Sequence, residues 1–230
     1  MSTVVITGAS RGIGAATALT LAPRHELVLV GRDPDALRAV AAECRAARIV
    51  EADLTTADGV ARVAEASAAA HDTSPLAGLV HCAGVADLGR IEHTDAGQWR
   101  RAFEVNVLAV VELTRALLPA LRAARGHVVV VNSGAGTTAK PGWGSYSASK
   151  FALRAVTDTL RGEEPDLRVT SIHPGRVDTD MQRAIVAHEG HAYDPDAYLS
   201  PHSVATAVRH ALESTPDAHP TEVVLRPRPR

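Results

Sequence analysis

Short apolar runs alternate with longer amphipathic stretches along the chain, and their spacing predicts a layered α/β fold. Several of the runs are continuously apolar, as expected for parallel strands that helices cover on both faces. Strands are predicted at residues 3–7, 26–30, 48–51, 77–82, 127–131, 168–173 and 222–225. We therefore predict a doubly wound parallel sheet of about seven strands with helices on both faces.

The stretches between these strands contain the usual signals of helix ends. Asp33-Pro34 and Ser200-Pro201 each predict a helix start, because a capping side chain followed by proline suits the first turn. Residues 57–70 are rich in alanine and predict a closely packed helix. The 230 residues contain no linker, repeat or composition break, so we expect a single domain over residues 1–230.

Composition and charge exclude several classes of protein. Hydrophobic residues make up 46% of the chain, enough for a large core, and a net charge of -2 argues against nucleic-acid binding. The basic run at residues 226–230 is expected to be a solvated tail. Without a secretory leader or a membrane-length apolar run, and with only Cys44 and Cys82, which lie far apart, we expect a cytoplasmic protein with free thiols.

A glycine-rich turn directly follows the first predicted strand and opens the first predicted helix. It reads Thr7-Gly8-Ala9-Ser10-Arg11-Gly12-Ile13-Gly14. Glycines permit a tight turn and let backbone N–H groups and a helix N-terminus approach a pyrophosphate. Taken alone, the same turn is also compatible with an ordinary chain reversal.

The spacing TGxxxGIG resembles the classical short-chain dehydrogenase/reductase family rather than the usual GxGxxG proteins. The resemblance runs from Thr3 to about Thr179 and implies a Rossmann-like fold with a nicotinamide cofactor. His81-Cys82-Ala83-Gly84 replaces the family's NNAG, so only a backbone role is expected there. The resemblance assigns to the cofactor Gly8, Ser10, Arg11, Gly12, Ile13, Gly14, Asp53, Leu54, Ala83, Gly84, Tyr146, Lys150, Pro174, Gly175, Val177 and Thr179.

The end of the second predicted strand indicates which dinucleotide is bound. A carboxylate that binds the ribose hydroxyls of NAD is expected there, but the chain has Gly31 followed by Arg32. Arg32, together with Arg11, is suited to a 2′-phosphate, so NADP(H) is favoured over NAD(H). The alternative is that both arginines are solvated, and the neighbouring Asp33 keeps it open.

Four residues resemble the family's catalytic group. Tyr146 and Lys150 form Tyr-x-x-x-Lys, which puts both side chains on one face of a helix. A nearby ammonium is expected to lower the pKa of the Tyr146 phenol, which then serves as general acid or base. Ser133 ends the fifth strand, and the resemblance implies that it hydrogen-bonds the substrate oxygen. For Asn106 the resemblance implies a water molecule that links it to Lys150; the alternative is that Asn106 is an N-cap or a solvent-facing amide.

The resemblance implies an oxidoreductase for a small carbonyl or alcohol, most simply a carbonyl reductase. A non-catalytic NADP(H)-binding sensor or scaffold on the same fold is the alternative. Residues 177–200 resemble the family's variable lid, and the suggested pocket residues are Val85, Ala135, Trp143 and Met181. No metal is expected, since His188-Glu189-Gly190-His191 lacks zinc spacing. The family also implies a homodimer or homotetramer.

Overall fold

Seven parallel strands form one continuous sheet. In a computed structural model, which describes residues 1–71, 74–215 and 217–228, the strand order is β3-β2-β1-β4-β5-β6-β7. The strands are β1 (Ser2–Thr7), β2 (His25–Gly31), β3 (Ala47–Glu51), β4 (Leu76–His81), β5 (His127–Val131), β6 (Arg168–Pro174) and β7 (Glu222–Leu225). The predicted Rossmann-like fold is confirmed, and all seven strands lie within one or two residues of the predicted positions.

Helices connect the strands and cover both faces of the sheet. The helices are α1 (Gly12–Leu21), α2 (Pro34–Ala42), α3 (Ala57–His71), α4 (Ala96–Phe103), α5 (Ala109–Ala124), α6 (Gly144–Glu163), α7 (Asp180–His188) and α8 (Pro201–Leu212). Asp33 and Ser200 cap α2 and α8 as predicted, each accepting a bond from a first-turn amide. Cys44 lies in the turn after α2.

Alternate residues of each strand enter two separate cores. Leu27 and Leu29 of β2 pack with α1, α2 and α8, whereas Val28 and Val30 pack with α3, α5 and α6. Side chains of successive strand residues point to opposite faces, so a continuously apolar strand supplies both cores at once. This explains why the apolar runs of the sequence show no alternation.

The order of the strands reverses at β1, which pairs with β2 on one side and β4 on the other. The connections from β1 and β4 therefore leave toward opposite faces and open a crevice at the carboxyl ends of these strands. Within the described part of the chain, no helix has the length and apolar character needed to cross a membrane.

Two buried histidines make the free energy of unfolding depend on pH. Burial lowers the pKa of His81 and of His127 from 6.5 to about 3. The folded state keeps both rings neutral, while the unfolded chain takes up protons below its ordinary histidine pKa. Protonation therefore favours unfolding as the pH falls from about 6.5 toward 3, and at pH 5 each histidine costs about 2 kcal/mol relative to pH 7.

Replacing His127 with glutamine should remove its part of this pH dependence. His127 Nε2 hydrogen-bonds Thr170 Oγ1 at 2.7 Å, and the glutamine amide offers a similar donor. Between pH 7 and pH 5, we expect the free energy of unfolding of His127→Gln, measured by urea unfolding, to fall by about 2 kcal/mol less than that of the wild type. The exposed His202→Gln is the control and should retain the wild-type pH dependence. An unchanged dependence in His127→Gln would contradict the prediction.

Candidate active site

The glycine turn brings the end of β1 into direct contact with the segment that follows β4. Gly8 and Gly12 have φ angles of +63° and +56°, where a side chain is strained. A Cβ at Gly8 would lie 2.8 Å from Ala83 N, and one at Gly14 would lie 2.1 Å from Gly8 O. The backbone can therefore come close to a ligand placed over this turn.

The N-termini of two helices meet beside the glycine turn. Helix α1 starts after Arg11, whose side chain makes no capping bond, and a Cβ at Gly12 would lie 3.2 Å from Thr179 Cγ2 at the start of α7. Arg11 extends instead to Asp180 at 3.8 Å, with both side chains largely exposed. Unfilled backbone N–H groups at a helix start attract anions, so this cradle fits the pyrophosphate of a dinucleotide.

Thr7 joins the ends of β1 and β4 across the crevice. Its Oγ1 accepts hydrogen bonds from Cys82 N and Ala83 N, both at 3.1 Å. The sequence identified Thr7 as part of the glycine motif but did not predict this contact. Its position at the end of a strand is the feature that could have indicated it. Cys82 is half-buried, and desolvation raises the pKa of its thiol to about 12.

Arg32 and Asp53 lie close together past the ends of β2 and β3. The Asp53 carboxylate accepts bonds from Thr55 N at 3.0 Å and Thr55 Oγ1 at 2.8 Å, which lower its pKa, and the charge of Arg32 lowers it further. The neighbouring Asp33 is turned toward α2, where it accepts from Ala36 N at 3.0 Å. The carboxylate next to Arg32 in the sequence is thus used as a helix cap. Leu54 follows directly after Asp53.

Tyr146, Lys150 and Ser133 meet at the bottom of a cavity. Tyr146 and Lys150 lie one turn apart on α6 and are only 7% and 4% exposed. Lys150 Nζ lies 5.9 Å from the centre of the Tyr146 ring and donates to Val131 O at 3.2 Å. Ser133, just past β5, has its side chain close enough to Tyr146 to lower the pKa of the phenol, and both residues line the cavity. The structure therefore brings together the residues that the sequence grouped.

Burial dominates the ionisation of this pair. It raises the pKa of Tyr146 above its ordinary value, although the Ser133 side chain lowers it, and it lowers the pKa of Lys150 to about 8. The expectation that Lys150 would lower the pKa of Tyr146 is wrong for this arrangement. Desolvation of a fully enclosed phenol disfavours its charged form more strongly than the nearby Ser133 side chain favours it.

Asn106 holds two segments of the site together. It lies fully buried in a π-helical turn, Glu104–Leu108, between α4 and α5, a local widening that often marks functional positions. Its amide accepts from Val85 N at 2.9 Å and donates to Val85 O at 3.0 Å and Ser149 Oγ at 3.0 Å. Ser149 in turn donates to Tyr146 O at 2.8 Å. The amide is neither an N-cap nor solvent-facing.

The loop after β6 forms the opposite wall. Pro174 ends the strand, and the backbone N–H of Gly175 donates to Leu225 O at 2.8 Å. The residues on either side of Val177 pair with Leu199: Asp178 N donates to Leu199 O, and Leu199 N donates to Arg176 O. The Thr179 hydroxyl accepts from Gln182 N at 3.2 Å. The Thr179 hydroxyl therefore already caps α7. His173 is buried, with Nδ1 donating to Ser133 O at 3.2 Å.

These walls border a solvent-accessible cavity of about 520 Å³. Of the four suggested pocket residues, Ala135, Trp143 and Met181 line it, whereas Val85 does not and is held through its backbone by Asn106. Sequence reasoning missed the wall residues Thr138, Lys140, Arg176, Gln182, Ile185, Arg226 and Pro227. Their positions follow only from how the lid and the C-terminal segment fold over the sheet.

The His188-Glu189-Gly190-His191 stretch anchors the end of α7 through its glutamate. Glu189 forms a two-pronged ion pair with Arg176 at 2.7 and 2.5 Å. This pair fixes the end of α7 to the loop that follows β6. Arg176 also lies 5.8 Å from the centre of the Trp143 ring, so the same contact connects the lid to the cavity wall.

Comparison with known proteins agrees with this architecture. The family model of short chain dehydrogenases matches residues 2–190. Glycine betaine reductase ATRR of Emericella nidulans is 33% identical over 97% of this chain, although the match spans only 18% of that longer protein. An uncharacterized oxidoreductase of Staphylococcus saprophyticus is 30% identical over 97% of this chain and 95% of its own length.

A solved structure is similar along the whole chain. It is an alcohol dehydrogenase from the archaeon Thermococcus sibiricus complexed with 5-hydroxy-NADP, with a TM-score of 0.89, 30% identity, and coverage of 100% of this chain and 99% of that one. Fold, site and relatives together define a nicotinamide-dependent class of oxidoreductase. The chain belongs to the short-chain dehydrogenase/reductase family.

Replacing Thr7 with valine tests the link between β1 and β4. The substitution keeps the shape but leaves two enclosed N–H groups without their acceptor, so we expect the free energy of unfolding to fall by about 1–3 kcal/mol. Urea unfolding followed by circular dichroism measures this. Thr20→Val is the control, because among the residues that the structure describes the Thr20 hydroxyl bonds only to Ala16 O of its own helix. Equal stability of the two variants would contradict the prediction.

Proposed function

We propose that this protein is an NADP(H)-dependent carbonyl reductase acting on small carbonyl and alcohol substrates. The observation that carries the proposal is the buried contact of Tyr146 with Ser133 above Lys150, at the bottom of a cavity of about 520 Å³. The Tyr146 phenol, the Ser133 hydroxyl and the Lys150 ammonium border one open space. Together they can stabilise a substrate oxygen on which negative charge develops. The glycine turn and the Pro174-Gly175 loop border the same space.

When bound, a nicotinamide cofactor supplies the hydride that converts a carbonyl carbon into an alcohol carbon and is itself oxidised. Ser133 and Tyr146 both donate hydrogen bonds to the carbonyl oxygen, and Tyr146 transfers its proton to that oxygen as negative charge develops on it. The raised pKa of Tyr146 keeps the phenol protonated near neutral pH, which suits reduction. In the oxidative direction the phenolate takes the proton back from the alcohol.

Lys150 compensates for the charge left on Tyr146. Its pKa of about 8 keeps it largely protonated near neutral pH, where it stabilises the phenolate that remains after proton transfer. Asn106 and Ser149 are positioning residues in this scheme. Through Val85 and the backbone of Tyr146 they fix the start of α6, so the phenol and the ammonium keep their relative positions.

The preference for NADP(H) rests on the end of β2. Arg32 is exposed beside Asp53, and among the described residues no carboxylate lies within 4.0 Å of its guanidinium. Asp33 is already engaged as the cap of α2, so the 2′-position of the ribose meets a cation rather than an acid. Arg11 contributes more weakly, since it is shared with Asp180. The similar alcohol dehydrogenase was solved with an NADP derivative.

Replacing Tyr146 with phenylalanine should abolish turnover without loss of cofactor binding. We expect kcat for aldehyde reduction to fall by about 10²- to 10⁴-fold, because the proton donor is removed. Initial rates followed at the reduced-nicotinamide absorbance, with calorimetric titration of NADPH, measure both. Tyr193→Phe, which removes a lid hydroxyl bonded to Asp178 at 2.6 Å, is the control. Normal turnover of Tyr146→Phe would refute the assignment, and NADPH binding without turnover by the wild type would favour a sensor.

Replacing Arg32 with glutamine should change the cofactor preference. We expect the Kd for NADPH to rise by roughly tenfold or more, while the Kd for NADH changes little, because only the 2′-phosphate loses a charged partner. Calorimetric titration of both cofactors measures the ratio. Arg38→Gln, an exposed arginine on α2 that pairs with Asp35, is the matched control. Equal weakening of NADPH and NADH would contradict this account.

A further inference from the structure

The start of the C-terminal segment borders the cavity, although Arg226 is solvent-exposed as the sequence predicted for residues 226–230, of which 229 and 230 lie outside the described residues. Arg226 and Pro227 line the cavity directly after β7. Arg226 Nη1 donates to His173 O and to Leu225 O, both at 2.8 Å. Two main-chain carbonyls at the ends of β6 and β7 therefore hold one edge of the guanidinium group of this exposed residue.

Two glycines make room for this segment next to the proposed reaction centre. A Cβ at Gly134 would lie 3.4 Å from Arg226 Nη2, and a Cβ at Gly175 would lie 3.0 Å from Pro227 Cδ. Gly134 directly follows Ser133, so the guanidinium edge that carries Nη2 lies against the chain segment to which the proposed function assigns the substrate oxygen. A larger residue at either glycine would crowd this arrangement.

The charged side chains that line the described cavity wall are all basic. Lys140, Lys150, Arg176 and Arg226 line the cavity, and no aspartate or glutamate is among its lining residues within the described chain. Arg176 is already neutralised by Glu189.

Lys140 and Arg226 have no such partner. Across the described residues, no carboxylate lies within 4.0 Å of either side chain, and the acid nearest to Arg226 in sequence, Glu222, pairs with Arg154 at 3.0 Å. An arginine that is fixed by backbone carbonyls and lacks an acidic partner is suited to an anionic ligand.

Two buried amides of the wall also lack hydrogen-bond partners. Among the described residues, Asn132 is 3% exposed with neither side-chain polar atom bonded, and Gln182 is 5% exposed with an unpaired Nε2; both residues line the cavity. Because these unpaired atoms are closed off from the open space, they make the wall polar without contacting a ligand directly. Lys140 adds positive potential from the rim, where it lies 5.9 Å from the centre of the Trp143 ring.

We propose that the substrate carries a carboxylate in addition to its reacting carbonyl group, and that Arg226 binds this carboxylate. The inference rests on the proposed function, because Ser133 and Tyr146 must hold the carbonyl in the same cavity. The glycine turn provides the binding site for the pyrophosphate of the cofactor. Arg226, beside Gly134, is therefore available to bind the substrate. Arg226 is thus a specificity-determining residue for keto acids or aldehyde acids.

A matched pair of aldehydes tests the proposal. The probes are 4-carboxybenzaldehyde and its methyl ester, methyl 4-formylbenzoate, which share the reacting group and differ in charge. With saturating NADPH, we expect the wild type to have a KM roughly tenfold or more lower for the acid than for the ester. Arg226→Gln should raise KM for the acid roughly tenfold and leave KM for the ester and both kcat values within about twofold.

Control variants separate charge recognition from general damage. Arg228→Gln removes an exposed charge two residues further along, outside the cavity lining, and should behave as the wild type. Lys140→Gln should raise KM for the acid by a smaller factor than Arg226→Gln, because a rim charge is screened by solvent. If the wild type uses both aldehydes equally well, or if Arg226→Gln impairs both equally, the carboxylate proposal is overturned.

A binding measurement keeps this result distinct from failure of the proposed function. Calorimetric titration of the NADPH-loaded protein with 4-(hydroxymethyl)benzoate and with its methyl ester requires no turnover. Preferential binding of the acid, lost in Arg226→Gln, supports the carboxylate site even when neither aldehyde is reduced, in which case the reductase proposal alone fails. Equal or absent binding of the two alcohols overturns the carboxylate proposal, whatever the activity.

Discussion

All seven strands run parallel, and this constraint places the carboxyl end of every strand at one edge of the sheet. The glycine turn after β1, the Ala83-Gly84 segment after β4, Ser133 after β5 and the Pro174-Gly175 loop after β6 are far apart in sequence. They meet because each directly follows a strand. Thr7 and Asn106 then fix this edge, the first between β1 and β4 and the second between Val85 and α6.

Burial determines the electrostatics of the site more than pairwise attraction does. The phenol and the ammonium are both withdrawn from water, so the pKa of Tyr146 rises and that of Lys150 falls toward neutrality. A protonated phenol beside a readily titrated amine is an arrangement for delivering a proton and then stabilising the remaining charge. The same withdrawal from water keeps His81 and His127 neutral elsewhere in the sheet, where they serve packing and hydrogen bonding.

The cavity combines a fixed reaction centre with an adaptable wall. Tyr146, Lys150 and Ser133 are held by α6 and β5, whereas Met181 and Gln182 come from the lid, Arg176 from the loop after β6 and Arg226 from the segment after β7. Rigid elements suit the chemistry, which requires constant distances. Connecting segments suit recognition, because their side chains can change without disturbing the sheet. The ion pair of Arg176 with Glu189 anchors the lid between these two parts.

The sequence by itself determined the strands, the starts of α1, α2, α3 and α8, the glycine turn and the grouping of Tyr146 with Lys150. Continuous apolar runs, Asp33-Pro34, TGxxxGIG and Tyr-x-x-x-Lys are local patterns, and local geometry follows from residues a few positions apart. The direction of the Tyr146 pKa shift, the bonds of Asn106, the displacement of Val85 from the pocket and the position of Arg226 depended on the tertiary structure. Each of these reflects burial or contact between segments distant in the chain, such as Arg226 with His173 and Gly134, and no local pattern of residues records such contacts.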